Sequence, residues 1–325
     1  MSTARRPAPR PRQRGAALLL AMLIVTLVAT LAAGMVWQQW QATEVEAASR
    51  ARTQATSLVQ GAVDWARLIL RSDAQDTKRG GIDSLDEVWA TPLQDVKLSE
   101  FLAADRDNTT DTALDAFLSG QISDAQARYN LRNLGETDAE DAQPHLKVLQ
   151  RLCDTLGLPR EVATRIADGM KGAETAEEQI DDSRGVTAGL PLTPQRLEQL
   201  AWLGLDAATI ARLKPFVVVL PMRTKVNLNT AAPEVLMAVV EGLDRASAER
   251  LVRARAAGGF ASVEQAGKLL PEKLALSAEL LDVKSSFFEV LGELRYDRFV
   301  LRERSLVQRR GLDVVVVQRE TLPPQ

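Results

Sequence analysis

One cysteine and one histidine stand in 325 residues. With Cys153 alone, no intramolecular disulfide can form, and a single thiol fits a reducing or an oxidising compartment equally. Any Ser-His-Asp triad or histidine-based zinc site would have to use His145, and its surroundings, D-A-Q-P-H-L-K, suggest neither. No nucleophile–base pair is in evidence, so an enzyme is not expected. Aromatics make up 4 % against 46 % hydrophobic residues, which leaves a core to be built from Ala, Leu and Val. Excess positive charge is also missing. The formal net charge is -3, and it falls to -8 without the five arginines of residues 1–15. That argues against tight, sequence-independent nucleic-acid binding, which needs a basic surface.

What the chain does have begins at Arg10. R-P-R-Q-R-G runs into A-A-L-L-L-A-M-L-I-V-T-L-V-A-T-L-A-A-G-M-V-W, and no charge appears from Ala16 to Thr43. About twenty apolar residues as helix span the ~30 Å hydrocarbon core of a bilayer. Arginines before the run and Glu44 and Glu46 after it place the N-terminus in the cytoplasm by the positive-inside rule. Leu58, Ala62, Trp65 and Ile69 mark one face of a continuing helical period, so one helix is predicted from within a membrane to well outside it. A cleavable secretory signal would have a shorter apolar stretch and a small-x-small site. An ordinary signal anchor and a type IV pilin-like leader both remain. In the pilin family a dedicated peptidase cuts after a glycine on the cytoplasmic side of the run, and the new N-terminus is methylated. Gly15–Ala16 resembles that junction, although Ala16 replaces the usual Phe and Leu20 replaces the usual Glu at the fifth mature position.

After Arg71 the periodicity fails at K-R-G-G and Pro92. Phe101-Leu102 and Leu114–Leu118 read as short helical pieces. Between them D-R-D-N-T-T-D, with Asp105, Asp107 and Asp111, resembles the start of a calcium loop. It has Thr110 where the loop needs Gly and Ala116 where it needs Glu, so a solvated loop is the other reading. Arg128–Leu131 reads as a short strand, and a helical pattern then extends to Val217. Its first stripe is Leu146, Leu149, Leu152 and Leu156, stopped by Gly157 and Pro159.

A repeat emerges at Leu156 (L-G-L-P), Leu203 (L-G-L-D) and Glu241 (E-G-L-D), each followed by a helix. This is a helix-hairpin-helix pattern, with Asp206 and Asp244 as N-caps. DNA-binding versions carry a second glycine whose amides take a phosphate; here Pro159, Asp206 and Asp244 stand at that place, which favours a structural hairpin. K-P-F-V-V-V-L-P at 214–221 reads as a strand. In T-K-V-N-L-N-T-A-A-P-E-V-L, Val226 and Leu228 alternate with Asn227 and Asn229 as in a half-buried strand, with Thr230 capping the next helix and Pro233 in its first turn. The tail gives three strand-like runs turning at Tyr296-Asp297 and Arg309–Gly311, an antiparallel meander whose Arg295, Arg302, Arg304, Arg309, Arg310 and Arg319 read as a solvated face.

Taken in order, these motifs resemble the type II secretion system minor pseudopilin K family, also called general secretion pathway protein K. The carrying residues are Arg14-Gly15 before the apolar run, Leu20 in place of Glu, R-Y-N-L-R-N-L at 128–134, L-K-P-F-V-V-V-L-P with T-K-V-N-L-N-T-A-A-P-E-V-L, and F-F-E-V at the start of the meander. The resemblance implies an α+β fold: a long pilin-like N-terminal α-helix on a small antiparallel β-sheet, with a large all-α domain inserted between strands. The expected divisions are a leader at 1–15 removed by prepilin peptidase and an N-terminal helix at 16–75, transmembrane over 16–37. A first part of the pilin-like domain at 76–135 precedes an inserted helical domain at 136–220. A strand with a hairpin unit at 221–284 and the C-terminal strands at 285–325 complete the chain.

Further implications concern place and partners. Cleavage falls between Gly15 and Ala16, with N-methylation of Ala16. The protein is a single-pass inner-membrane subunit, mostly periplasmic, at the tip of the pseudopilus, initiating or capping the fibre for export of folded proteins across the outer membrane. Its implied partners are minor pseudopilins I and J, the major pseudopilin fibre, prepilin peptidase and the inner-membrane assembly platform; nucleic acid is not among them. Calcium is the one cofactor the resemblance raises, with Glu174, Glu177, Glu178, Asp181 and Asp182 as ligands; the aromatic residues expected after them are lacking, and a solvated acidic turn is the other reading. The alternative function is a membrane-anchored helix-hairpin-helix DNA-binding or uptake protein.

Overall fold

The computed structural model describes residues 14–76, 80–97, 116–136, 138–182, 192–271, 273–296 and 299–323. The chain divides into two units, residues 1–57 and 58–325. Within the first unit the described residues are all helix, the beginning of α1 (Arg14–Gln75). At 62 residues it is roughly 90 Å long. Nothing in its sequence stops it before Gln75, since it contains no proline.

In the second unit a five-stranded antiparallel sheet has the order β1-β2-β7-β8-β9. Its members are β1 (Leu93–Lys97), β2 (Ala116–Asp124), β7 (Phe287–Tyr296), β8 (Phe299–Arg310) and β9 (Asp313–Leu322). The C-terminal meander is thus observed as read. The segment read as helical at Leu114–Leu118 is corrected: from Ala116 it is β2, with Ala116 and Leu118 buried and Phe117 between them less so. Pairing with β7 along all nine residues of β2 overrides a weak local helical pattern. Phe101-Leu102 and the aspartate loop at 105–111 lie outside the described residues.

Between neighbouring strands β2 and β7 the chain leaves the sheet and forms a helical domain. It contains α2 (Ala139–Leu156), α3 (Arg160–Asp182), a 3₁₀ helix at Leu197–Leu203, α4 (Ala207–Leu213), α5 (Pro233–Val239), α6 (Arg245–Arg255) and α7 (Val263–Gly267). Two short parallel pairs tie it together: β3 (Tyr129–Asn130) with β4 (Val217–Val218), and β5 (Val226–Asn227) with β6 (Leu281–Asp282). One hydrophobic core, including Tyr129, Leu149, Leu152, Ile166, Leu236 and Val283, runs through this whole stretch.

The three Gly-Leu repeats are the joints of the domain. Gly157, Gly204 and Gly242 all have φ between 62 and 77°, the left-handed region where glycine has no steric penalty. The leucines that follow, Leu158, Leu205 and Leu243, are all buried. Asp206 and Asp244 then cap α4 and α6, accepting from Thr209 N and Ser247 N at 2.7 Å each.

Candidate functional site

From Ala16 to Arg50 every side chain of α1 is exposed, including Leu20, Leu23, Leu31 and Trp37. Such a surface is unsustainable in water and calls for lipid or other apolar helices around it. This is the one helix among the described residues long and apolar enough to cross a membrane. Its polar groups are suited to that setting. Thr26 donates to Met22 O and Leu23 O, and Thr30 to Leu27 O, so their hydroxyls are satisfied within the helix. Trp37 and Trp40 pack with ring centroids 5.6 Å apart where the apolar run gives way, the position at which tryptophans meet a membrane–water interface.

The foot of α1, residues 58–75, lies on one face of the sheet. Its buried row is Val59, Val63, Ala66 and Leu70, one position on from the row Leu58, Ala62, Trp65 and Ile69. Val63, Ala66 and Leu70 meet Phe288, Val290, Val307 and Val314 of the sheet. Two apolar rows compete on this helix, and the row of smaller side chains is the one that lets the backbone approach the strands. Trp65, 45 % exposed, and Ile69 belong to the other row and line a groove beside Val88, Pro92 and Ile122.

Below that foot, three carboxylates converge: Asp73, Asp83 and Glu87 each place an oxygen within 4.8 Å of the others. This is the geometry of a candidate cation site, but a side chain already supplies a cation. Arg309 of β8 donates to Asp73 Oδ2 at 2.9 Å and to Asp83 Oδ1 and Oδ2 at 2.5 and 2.6 Å, and its guanidinium lies 4.9 Å from the Phe288 ring centre. Arg309 is therefore not on a solvated face. Burial pushes the Asp83 carboxyl up to about 6 against the pull of Arg309. Burial, together with the charges of Asp73 and Asp83, pushes Glu87 up to about 7 against donation from the Trp89 indole. The cluster clamps the end of α1 to β8.

Asn227 and Asn229 are also corrected: both are buried, not solvent-facing. The Asn227 amide donates to Asp83 O, Asp124 Oδ2 and Ser285 Oγ at 2.9–3.1 Å, and its Oδ1 accepts from Asn229 N. The Asn229 side chain pairs with both backbone groups of Phe260. Thr230 does not cap a helix; it donates to Asp124 Oδ2 at 2.6 Å, and Ala232 occupies the N-cap position before Pro233. Asn130 and Asn133 do the same for the backbone at Leu220, Met222 and Thr224. These asparagines take the place of strand ladders, joining the helical domain, the hairpin unit and the sheet.

This stretch of asparagine clamps and hairpins is where family models match. Residues 127–222 and residues 226–284 each match one described as type II secretion system (T2SS), protein K. The type II secretion system protein K of Pseudomonas aeruginosa is 28 % identical, over 94 % of this chain and 89 % of its own length. That of Pectobacterium carotovorum is 28 % identical over 96 % and 97 %. The chain is thus similar to type II secretion system protein K along nearly its whole length. The crystal structure of the GspK-GspI-GspJ complex from the type 2 secretion system of enterotoxigenic Escherichia coli supplies a fold match. It has a TM-score of 0.62 and 22 % identity, covering 85 % of this chain and 99 % of that one.

The residues singled out in the sequence fall in two groups. Gly15, Ala16 and Leu20 lie in the first turns of α1, and residues 1–13 are outside the described residues. Of the acidic set, the side chains of Glu177, Glu178, Asp181 and Asp182 are outside the described residues, while Glu174 faces two arginines, Arg132 at 3.2 Å and Arg223 at 3.5 Å. A carboxylate engaged in this way does not fit a cation site. The Asp73–Asp83–Glu87–Arg309 clamp went unseen in the sequence, because its members are up to 236 residues apart.

Proposed function

We propose that this protein is a minor pseudopilin at the tip of the pseudopilus, initiating or capping the fibre that drives folded proteins across the outer membrane. The observation that carries this reading is the pairing of a bare, uncharged helix from Ala16 to Thr43 with a sheet interrupted by a large helical domain between β2 and β7. The helix is the element by which pilin-like subunits bundle. A fibre repeats only if each subunit offers the same heterologous contact above and below. The added domain is bulk that every repeating position would have to accommodate, and Leu20 lacks the charge through which a pilin glutamate engages its neighbour's N-terminus. A terminal position satisfies both features.

Prepilin peptidase removes residues 1–15, and Ala16 becomes a methylated N-terminus. The subunit sits in the inner membrane with its N-terminus cytoplasmic and its bulk periplasmic. It assembles with minor pseudopilins I and J, the partners named for the structural neighbour, and through them with the major pseudopilin fibre and the assembly platform. Its role is assembly and not catalysis.

The test uses the full chain, epitope-tagged at its C-terminus, in cells that make long fibres. Label at one end of each fibre and a methylated Ala16 by mass spectrometry are expected. Label repeated along the fibre would overturn the terminal position. A retained Met1, or a cut elsewhere, would overturn the processing.

A further inference from the structure

On the face of the sheet away from α1, a cleft runs between the helical domain and strands β8 and β9. Its narrow end, about 70 Å³, is walled by Gln195, Arg196, Glu198 and Lys214 on one side and by Arg304, Gln318 and Glu320 on the other. It opens past Val219 and Pro221 into a wider part of about 420 Å³ that shares Gln195, Arg196 and Gln318. The charge balance at the narrow end is uneven. Lys214 has its own partner in Glu198 at 3.0 Å, and Arg128, at the rim, has Glu289 at 2.8 Å. Arg196 and Arg304 share one carboxylate, Glu320, which lies 3.1 Å from Arg304 Nη2 but 4.0 Å from Arg196 Nη1. Arg304 Nε is buried with no acceptor. The local field shows on Glu198: partial burial pushes its carboxyl up, yet it is held below the ordinary range by its own backbone, Lys214 and Arg304.

Two guanidinium groups around one carboxylate form a site short of one anion. Arginine's fork suits a planar carboxylate better than a point charge does. The apolar floor of the wider part, with Val219, Leu220, Pro221 and Val317, and its glutamines Gln195 and Gln318 suit an extended polypeptide leading away from that carboxylate. We propose that this cleft binds a carboxylate of a partner polypeptide, held between Arg196 and Arg304. The proposal stands apart from the reading of the protein as a tip subunit, since neither helix α1 nor fibre position enters it.

The test uses the full chain in detergent and three synthetic peptides of one apolar-polar sequence. One carries a central Glu with an amidated C-terminus, one a central Gln with a free C-terminus, and one a central Gln with an amidated C-terminus. Calorimetric titration is expected to show binding of at least one carboxylate-bearing peptide and tenfold weaker or no binding of the third. The first two distinguish a side-chain from a terminal carboxylate. Arg196→Gln, at an exposed position, should weaken the interaction about tenfold and Glu320→Gln should strengthen it, because it frees both arginines. Equal binding of all three peptides, binding unaffected by Arg196→Gln, or no binding of any would overturn the proposal. Arg304→Gln, with its fold checked by circular dichroism, must give the same loss as Arg196→Gln; a folded variant that keeps full affinity would also overturn it.

Discussion

Gly292 of β7 lies directly under Val59 of α1, so close that a Cβ on Gly292 would sit 3.2 Å from Val59 Cγ1. The missing side chain is what allows the foot of the helix to lie against the sheet. Gly292→Ala asks Val59 to move by a few tenths of an ångström. Gly292→Leu has no such room and should destabilise the protein by about 1–3 kcal/mol. Thermal unfolding of the detergent-solubilised chain measures it, and an unchanged midpoint in Gly292→Leu would show that α1 does not depend on this contact.

Asn227 should be among the least replaceable polar residues. Asn227→Leu is close in volume but strips partners from Asp83 O, Asp124 Oδ2 and Asn229 N, all in buried surroundings. Each group left unsatisfied costs about 1–3 kcal/mol. The variant should unfold at markedly lower denaturant than wild type, and the helical domain and the sheet should lose protection together in hydrogen exchange.

Stability should fall as pH rises toward and past neutrality. The folded-state values of Asp83, about 6, and Glu87, about 7, lie above their ordinary 3.8 and 4.5. The folded protein therefore binds more protons than the unfolded chain between these limits. This contribution is fully present below about pH 4 and is lost as pH passes through 6 to 7. Burial lowers the value of His145, which acts in the opposite sense: its contribution is lost as pH falls through its ordinary 6.5. Glu87→Gln isolates the carboxylate effect, and its unfolding midpoint should drop less than that of wild type between pH 5 and pH 8.

The hairpins should prove structural. In the Asp206 and Asp244 copies the cap carboxylate accepts from the amide at the start of the next helix, where a phosphate would otherwise sit. Asp244→Ala should lower the unfolding midpoint as a lost N-cap. Neither the wild type nor the variant should be retained on immobilised DNA at low salt. Salt-dependent retention of the wild type would revive the DNA-binding reading.

Legibility followed the range of the interactions. The apolar run from Ala16, the left-handed glycines at 157, 204 and 242, the aspartate caps after the last two, and the three closing strands are local patterns, and a few neighbouring residues suffice to encode them. With R-Y-N-L-R-N-L at 128–134 and T-K-V-N-L-N-T-A-A-P-E-V-L, the apolar run and the start of the meander carry the resemblance to the protein K family. Tertiary structure alone decided which apolar row of α1 turns inward, that Ala116–Asp124 is a strand, that Asn227 and Asn229 are buried, and that Arg309 closes a carboxylate cluster. The reason is physical. A polar side chain can be buried only if its partners are there to meet it, and Asp83 and Asp124 for Asn227, and Asp73 and Asp83 for Arg309, lie more than a hundred residues away.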